Sequence, residues 1–240
     1  MPRLALMIDL ERCTGCKSCE AACKSEHALG PTERHNRVVW LGSKLEENSD
    51  NNQALDFLAL ACQHCERPAC VRACPVSPKA ISKNKETGVV TVNEDACVGC
   101  GECVTACPYG AMGFDPDGRH AVKCDLCSDR RAEGAATTAC AAVCPTKAIT
   151  FGPRDELLKT TEANNREMIK NDPFLLGPAT IYLDRITNKQ EKFDAADRNS
   201  PKVIDSFTNI SIDDTVFPYG HNREDRQINR IEAGGCNICF

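Results

Sequence analysis

The chain has 240 residues, a formal net charge of −5 and 18 cysteines, but only 5% aromatic residues. A core of large rings is therefore excluded, and the absence of basic blocks argues against a nucleic-acid partner. No apolar run reaches the length of a transmembrane helix, since the best one, residues 55–62, is short and contains Asp56. Residues 1–20 lack the pattern of a secretory signal peptide. These features disfavour a secreted disulfide scaffold and a direct membrane span.

Five strands and two helices are predicted along the chain. The strands span residues 4–8, 89–92, 111–114, 121–123 and 148–151. The helices span residues 17–28 and 102–106. Each repeat is thus expected to run from a strand through a cysteine loop into a short helix that carries the fourth cysteine of its group. After residue 152 the composition changes, and residues 153–240 are predicted to form an irregular extension that wraps over a partner or over the core.

Sixteen cysteines form four groups of four, which we call quartets one to four and which mark an internal repeat. In chain order they are Cys13, Cys16, Cys19, Cys23; Cys62, Cys65, Cys70, Cys74; Cys97, Cys100, Cys103, Cys107; and Cys124, Cys127, Cys140, Cys144.

The spacing within the quartets is typical of ligands to [4Fe–4S] clusters. Quartet three matches the run C-x₂-C-x₂-C-x₃-C-P in full, and in that run the fourth cysteine binds the neighbouring cluster. Quartet one has the same cysteine spacing, but Lys24 replaces the proline, and quartets two and four lengthen the middle gap. Zinc would predict two isolated C-x₂-C pairs rather than triplets with a trailing fourth cysteine. We therefore predict four [4Fe–4S] clusters on sixteen cysteines, with the quartets paired.

The flanking residues resemble those of the four-cluster iron–sulfur subunits of molybdenum- and tungsten-pterin oxidoreductases. Those subunits accompany enzymes of the dimethyl sulfoxide reductase and aldehyde oxidoreductase types. The resemblance covers about residues 4–152. The motifs that carry it are residues 8–16 (IDLERCTGC), 62–65 (CQHC) with 68–70 (PAC), 97–100 (CVGC) with 106–110 (ACPYG), and 123–127 (KCDLC).

The resemblance implies crosswise pairing, quartet one with four and two with three. The implied ligand sets are Cys13, Cys16, Cys19 and Cys144 for cluster A; Cys23, Cys124, Cys127 and Cys140 for cluster B; Cys62, Cys65, Cys70 and Cys107 for cluster C; and Cys74, Cys97, Cys100 and Cys103 for cluster D.

The fold implied is α+β, with two pseudo-symmetric ferredoxin-like modules of two clusters each. Residues 1–53 and 111–152 would form the first module, residues 54–110 the inserted second module, and residues 153–240 the extension.

The implied function is single-electron transfer to or from a large catalytic subunit, with no catalysis by this protein alone. A further electron-transfer or membrane-anchor subunit is a second expected partner. The alternatives are the electron subunit of a hydrogenase or other non-pterin enzyme, and a freely diffusing polyferredoxin. The expected compartment is the cytoplasm, or the periplasm if a partner carries the export signal.

Three further residues are candidates outside the quartets. Cys236 and Cys239 form a fifth pair near the end of the sequence, which would serve as a redox dithiol or complete a metal site, or would be ordinary thiols. His64 lies between two ligands and is predicted to donate a hydrogen bond towards a cluster sulfur.

Overall fold

The computed structural model describes residues 2–31, 33–42 and 56–184, which form an α+β fold. The strands are β1 (Leu4–Asp9), β2 (Asn36–Gly42), β3 (Asp56–Ala61), β4 (Ile81–Lys83), β5 (Val90–Val92), β6 (Gly113–Asp115), β7 (His120–Val122), β8 (Ile149–Pro153) and β9 (Ile181–Leu183). The helices are α1 (Ser18–Glu26), α2 (Ala69–Ala73), α3 (Glu102–Ala106), α4 (Ser128–Ala132), α5 (Ala139–Val143) and α6 (Arg154–Ala163).

The largest sheet has β1 at its centre, antiparallel to β8 and parallel to β9. Leu6 and Ile8 of β1 belong to the main core, whereas Ala5 packs with Leu157 of α6 and Ile181 of β9 in a second cluster. Both faces of the sheet are therefore buried. This double burial explains the nearly continuous apolar sequence of β1.

The remaining strands form antiparallel pairs, β2 with β3, β4 with β5, and β6 with β7. Helix α1 packs against α5, and α2 packs against α3. The helix of quartet one thus meets that of quartet four, and the helix of quartet two meets that of quartet three. No helix within the described ranges has the length and apolarity needed to cross a bilayer.

The prediction of irregular structure after residue 152 is wrong for residues 154–163 and 181–183, which form α6 and β9, whereas residues 164–180 between them belong to no helix or strand. Helix α6 has Asp155 and Glu156 in its first turn, where they complement the helix dipole, and it buries Leu157 against the sheet. Strand β9 is buried at all three of its positions. This part of the extension therefore completes the core. Residues 185–240 of the extension lie outside the described residues.

Candidate metal centres

The residue before the second cysteine of each quartet has a left-handed backbone. These residues are Gly15, His64, Gly99 and Leu126, with φ of 68°, 43°, 69° and 60°. Glycine adopts this conformation without a Cβ penalty, whereas histidine and leucine adopt it at a cost. His64 and Leu126 are 1% and 0% exposed, so packing of their side chains holds the strained backbone. The four C-x₂-C loops thus share one turn despite different sequences.

Backbone N–H groups point at several of the cysteine sulfurs. The donors, with N···Sγ distances, are His64 to Cys62 at 3.5 Å, Leu126 to Cys124 at 3.5 Å, Ala111 to Cys107 at 3.4 Å, and Ala148 to Cys144 at 3.2 Å. N–H groups aimed at sulfur stabilise thiolate character and are one determinant of cluster potential. The loops are therefore arranged for ligands that carry negative charge.

Proline decides which cysteine each helix carries. The short helices α2, α3 and α5 carry the third cysteine, whereas the fourth follows as an extended residue with ψ between 108° and 119°. A residue before proline avoids the helical region, and each of these fourth cysteines precedes one. Only α1, where Lys24 replaces the proline, includes its fourth cysteine, Cys23. The prediction that every helix carries the fourth cysteine is therefore wrong for three quartets.

Four thiols from two quartets line one small space, which we call the covered cavity. The thiols belong to Cys62, Cys65, Cys70 and Cys107. Tyr109 and Leu176 also line it. The Tyr109 hydroxyl donates a hydrogen bond to the Asn171 carbonyl at 3.2 Å, and the Tyr109 ring meets Phe174 edge-on. The extension thus lies over these thiols.

A second small space, which we call the open cavity, is lined by four other thiols. They belong to Cys74, Cys97, Cys100 and Cys103. Cys100 is exposed, and the neighbouring Val98, which also lines the cavity, is 67% exposed. In both cavities, one thiol comes from one quartet and three come from the other. This is the stoichiometry expected when the trailing cysteine crosses to the neighbouring site.

Quartets one and four also approach each other. Burial raises the pKa of the Cys13 thiol, and the neighbouring thiolates of Cys144 and Cys16 raise it further. Burial likewise raises the pKa of Cys23, and the thiolates of Cys140 and Cys127 raise it further. Cys23, Cys127 and Cys140 are all buried, whereas Cys16 is exposed.

The pKa values of several thiols are raised by thiolates of another quartet. After burial, Cys140 is the largest cause that raises the pKa of Cys19, to about 12. Cys62 is among the thiolates that raise the pKa of buried Cys124. Cys70 contributes, after burial and Cys100, to raising the pKa of Cys103 to about 12. Thiols with raised pKa values become ligands only when a cation compensates the charge of the thiolates, and the iron of a cluster supplies that compensation.

The predicted hydrogen bond from the His64 ring towards a cluster sulfur stays a prediction, for which one ring nitrogen, Nε2, is left to donate. The Nδ1 of His64 accepts the backbone N–H of Val90 at 3.0 Å, so Nε2 carries the proton. Nε2 is buried and has no hydrogen-bond partner among the described residues. The backbone N–H of His64, rather than its imidazole, approaches the sulfur of Cys62. Full burial, together with the positive charges of Lys123 and Arg3, lowers the pKa of His64 well below 6.5.

His27 and His35 were not predicted to be near a site, but both lie beside quartets one and four. Ligand atoms of Cys23, His27 and His35 lie within 4.8 Å of one another, and His27 Nε2 is 3.6 Å from the Cys127 sulfur. The position of His27, four residues after Cys23 on the turn beyond α1, was the available signal. The pair Cys236 and Cys239 lies outside the described residues.

Comparisons with known proteins agree with this chemistry. The 4Fe-4S dicluster domain family matches residues 53–154, and the 4Fe-4S binding domain family matches residues 4–25. The protein is therefore a ferredoxin-like [4Fe–4S] protein of mixed helix and strand content.

Its relatives are subunits of anaerobic reductases. The sequence is 42% identical to the B subunit of the anaerobic dimethyl sulfoxide reductase of Escherichia coli (strain K12) over 156 residues, which cover 63% of this protein and 74% of the relative. It is 32% identical to the thiosulfate reductase electron transfer subunit of Salmonella typhi over 187 residues, covering 78% and 95%. It is 35% identical to the B subunit of the polysulfide reductase of Wolinella succinogenes over 150 residues, covering 62% and 76%. The protein belongs to this family of iron–sulfur electron-transfer subunits, which are not catalytic alone.

Proposed function

We propose that the protein holds four [4Fe–4S] clusters, each bound by three thiolates of one quartet and one of its partner quartet. The proposed ligands are Cys13, Cys16, Cys19 and Cys144 for cluster A; Cys23, Cys124, Cys127 and Cys140 for cluster B; Cys62, Cys65, Cys70 and Cys107 for cluster C; and Cys74, Cys97, Cys100 and Cys103 for cluster D.

The observation that carries this proposal is the pair of cavities, because each collects the thiols of one crossed set. Cys107 follows α3 in quartet three yet lines the covered cavity with three cysteines of quartet two. Cys74 belongs to quartet two yet lines the open cavity. For the other two sets, the support is the effect of the Cys144 thiolate on the pKa of Cys13 and of the Cys140 thiolate on the pKa of Cys23.

Some contacts between elements support the proposed modules, residues 1–53 with 111–152 and the insertion 54–110, whereas the pairing of β2 with β3 crosses the proposed boundary at residues 53 and 54. Strand β1, which precedes quartet one, pairs with β8, which follows quartet four. Helix α1 packs on α5, and α2 packs on α3. The two halves of the first module would therefore meet around the insertion.

We infer that the protein relays single electrons to or from a catalytic subunit that carries a pterin-bound molybdenum or tungsten. The reductase names of its relatives support this function. When bound, each cluster accepts and releases one electron at a time. The protein would exclude water from the inner sites, since no cysteine of sets B and C is exposed. Sets A and D each present one exposed cysteine, Cys16 and Cys100, which suits them to exchange electrons with other subunits.

Single cysteine variants test the ligand sets. Cys107→Ala should remove the same [4Fe–4S] signal from the electron paramagnetic resonance spectrum of the reduced protein as Cys65→Ala does. Cys74→Ala should remove the signal that Cys103→Ala removes. If the quartets were local sites, Cys107→Ala would instead match Cys103→Ala, and the crossed assignment would be wrong. Iron analysis of the wild-type protein should give four clusters per molecule.

The partner is tested on the native complex. We expect the protein to co-purify with a large subunit whose metal content includes molybdenum or tungsten. A monomer with full iron content in size-exclusion chromatography would favour a polyferredoxin, and nickel in the complex would favour a hydrogenase. The compartment, cytoplasm or periplasm, stays a prediction that fractionation of the source cells would test.

A further inference from the structure

Lys123 is a buried lysine at the junction of two thiol groups. It directly follows β7 and precedes Cys124, and the residue is only 4% exposed. Its ammonium donates hydrogen bonds to the carbonyl oxygen of Val90 and, at 2.6 Å, to the carbonyl oxygen of Cys124. The charged end of the side chain is therefore held inside the protein by backbone dipoles rather than by water.

Within residues 2–31, 33–42 and 56–184, none of the ion pairs below 4.0 Å includes Lys123. Buried ammonium groups are almost always paired, because their removal from water is costly. Since the described residues offer Lys123 no carboxylate partner, the nearby thiols are the groups that can supply negative charge there.

The nearby thiols are those of two different ligand sets. The two hydrogen bonds of Lys123 reach both sets: one acceptor is the carbonyl oxygen of Cys124, and the other is that of Val90, which lines the covered cavity. Cys70 lines the covered cavity, and Cys124 belongs to the fully buried set with Cys23. The single ammonium thus acts on both sets.

We propose that Lys123 is the shared counter-ion of clusters B and C and raises the reduction potentials of these two inner clusters. This proposal rests on the ligand sets under Proposed function. A cubane with four thiolates has a net charge of roughly −2 when oxidised and one unit more when reduced. A fixed positive charge in a medium of low dielectric constant stabilises the more negative, reduced form. One side chain would therefore set the potentials of two adjacent clusters together.

A matched control is available in Lys79. Its ammonium donates to the carbonyl oxygen of a ligand cysteine, Cys74, at 2.7 Å, much as Lys123 donates to that of Cys124. Lys79 is exposed, however, so water and salt screen its charge. The two lysines share the hydrogen bond to a ligand carbonyl and differ in burial.

The test is a redox titration of the full-length protein, monitored by electron paramagnetic resonance. The signals of clusters B and C are first assigned from Cys23→Ala and Cys107→Ala. Lys123→Met and Lys123→Gln should both shift these two midpoint potentials to more negative values, with clusters A and D unchanged. Lys123→Arg should keep the wild-type potentials, and Lys79→Met should shift the potential of cluster D, whose ligand Cys74 it contacts, less than Lys123→Met shifts those of clusters B and C.

Several outcomes would overturn the proposal. These are unchanged potentials in both uncharged variants, an equal shift at all four clusters, or wild-type potentials in Lys123→Gln, which would reduce the role to hydrogen bonding. If Lys123→Met and Lys123→Gln lose clusters, the loss must be confined to B and C and absent from Lys123→Arg. Fewer than four signals in the wild-type protein would instead refute the proposed function itself.

Discussion

The covered cavity and the open cavity are each lined by four thiols, three from one quartet and one from another. The two cavities differ in the exposure of these thiols to solvent. Leu176 from the extension lines the covered cavity, and Tyr109 closes it with a hydrogen bond to Asn171. The open cavity has no such segment among its described lining residues, and Cys100 and Val98 are exposed beside it. Two copies of one motif have therefore acquired unequal access to water.

The cover comes from outside the repeat. The backbone N–H of Glu66 donates to the Gly177 carbonyl at 2.7 Å, and that of Arg67 donates to the Leu176 carbonyl at 3.0 Å. Further along, the N–H of Ala179 donates to the Gln63 carbonyl at 2.7 Å. The extension thus binds the loop of quartet two through backbone groups. Because burial is a determinant of cluster potential, a segment added after the repeat can differentiate two related sites.

Truncation of Leu176, the apolar residue of the extension that lines the covered cavity, should have the largest effect on the difference between the two cavities. Leu176 is 8% exposed, so Leu176→Ala should lower the free energy of unfolding by about 3 kcal/mol, from lost burial and a new cavity. A chelator should then remove iron faster from the covered site, while the open site keeps its wild-type rate. Iron release can be followed by the decay of the two assigned paramagnetic signals.

The neighbouring Leu175→Ala is the control for Leu176→Ala. Leu175 is 72% exposed, so its truncation should change the free energy of unfolding by less than about 0.5 kcal/mol. Equal effects of the two variants would contradict the proposal that Leu176 shields the covered cavity.

A methyl group at Gly177 should have the next largest effect. Gly177 has φ of 64°, and a Cβ there would lie 2.8 Å from the Cβ of Glu66. Gly177→Ala combines the strain of a left-handed backbone with a clash against the Glu66 side chain. It should lower the free energy of unfolding, measured by urea denaturation, by about 2 kcal/mol.

The control is Gly101 in the open cavity, which has φ of 73° and no atom within 4 Å of such a Cβ. Gly101→Ala should therefore cost only the strain, about 1 kcal/mol, and equal costs would show that the cover is loose.

Loss of one hydroxyl should have a smaller effect. Burial raises the pKa of Tyr109, so its hydroxyl stays protonated and donates to Asn171 across the working pH range. Tyr109→Phe keeps the ring over the covered cavity and removes the hydrogen bond, which should cost about 1 kcal/mol. The measurement is urea denaturation. An unchanged midpoint, with Tyr109→Leu destabilising, would mean that the ring alone provides the closure.

The repeat was predictable because cysteine spacing and proline are local signals. The bounds of α3 agree with the prediction, and the five predicted strands lie within two residues of observed ones. An extension that wraps over the core was one of two expectations, but the loop it covers was not predictable, because the cover depends on long-range backbone bonds such as that from Ala179 to Gln63. Strand β9 has only three residues and becomes a strand by pairing with β1, not by its own pattern. The ligand sets followed from resemblance, and they stay a prediction until the cysteine variants are measured.

The outer edge of the cover should give the smallest effect, and one that depends on pH. The Glu66 carboxylate forms an ion pair with the Lys83 ammonium at 2.7 Å. This contact lowers the pKa of the Glu66 carboxyl, and Arg3 makes a smaller contribution in the same direction. A lowered pKa in the folded state stabilises the fold above the unfolded pKa, and this stabilisation is lost as the pH falls through the folded value. The Glu66 side chain is 59% exposed, so screening by water limits the effect of Glu66→Gln to at most about 0.5 kcal/mol at pH 7. The difference between variant and wild type in urea should shrink towards zero below about pH 4 and in high salt. A difference that persists at low pH would instead assign the effect to a side-chain contact other than the ion pair, because Glu66→Gln keeps the backbone contact with Gly177.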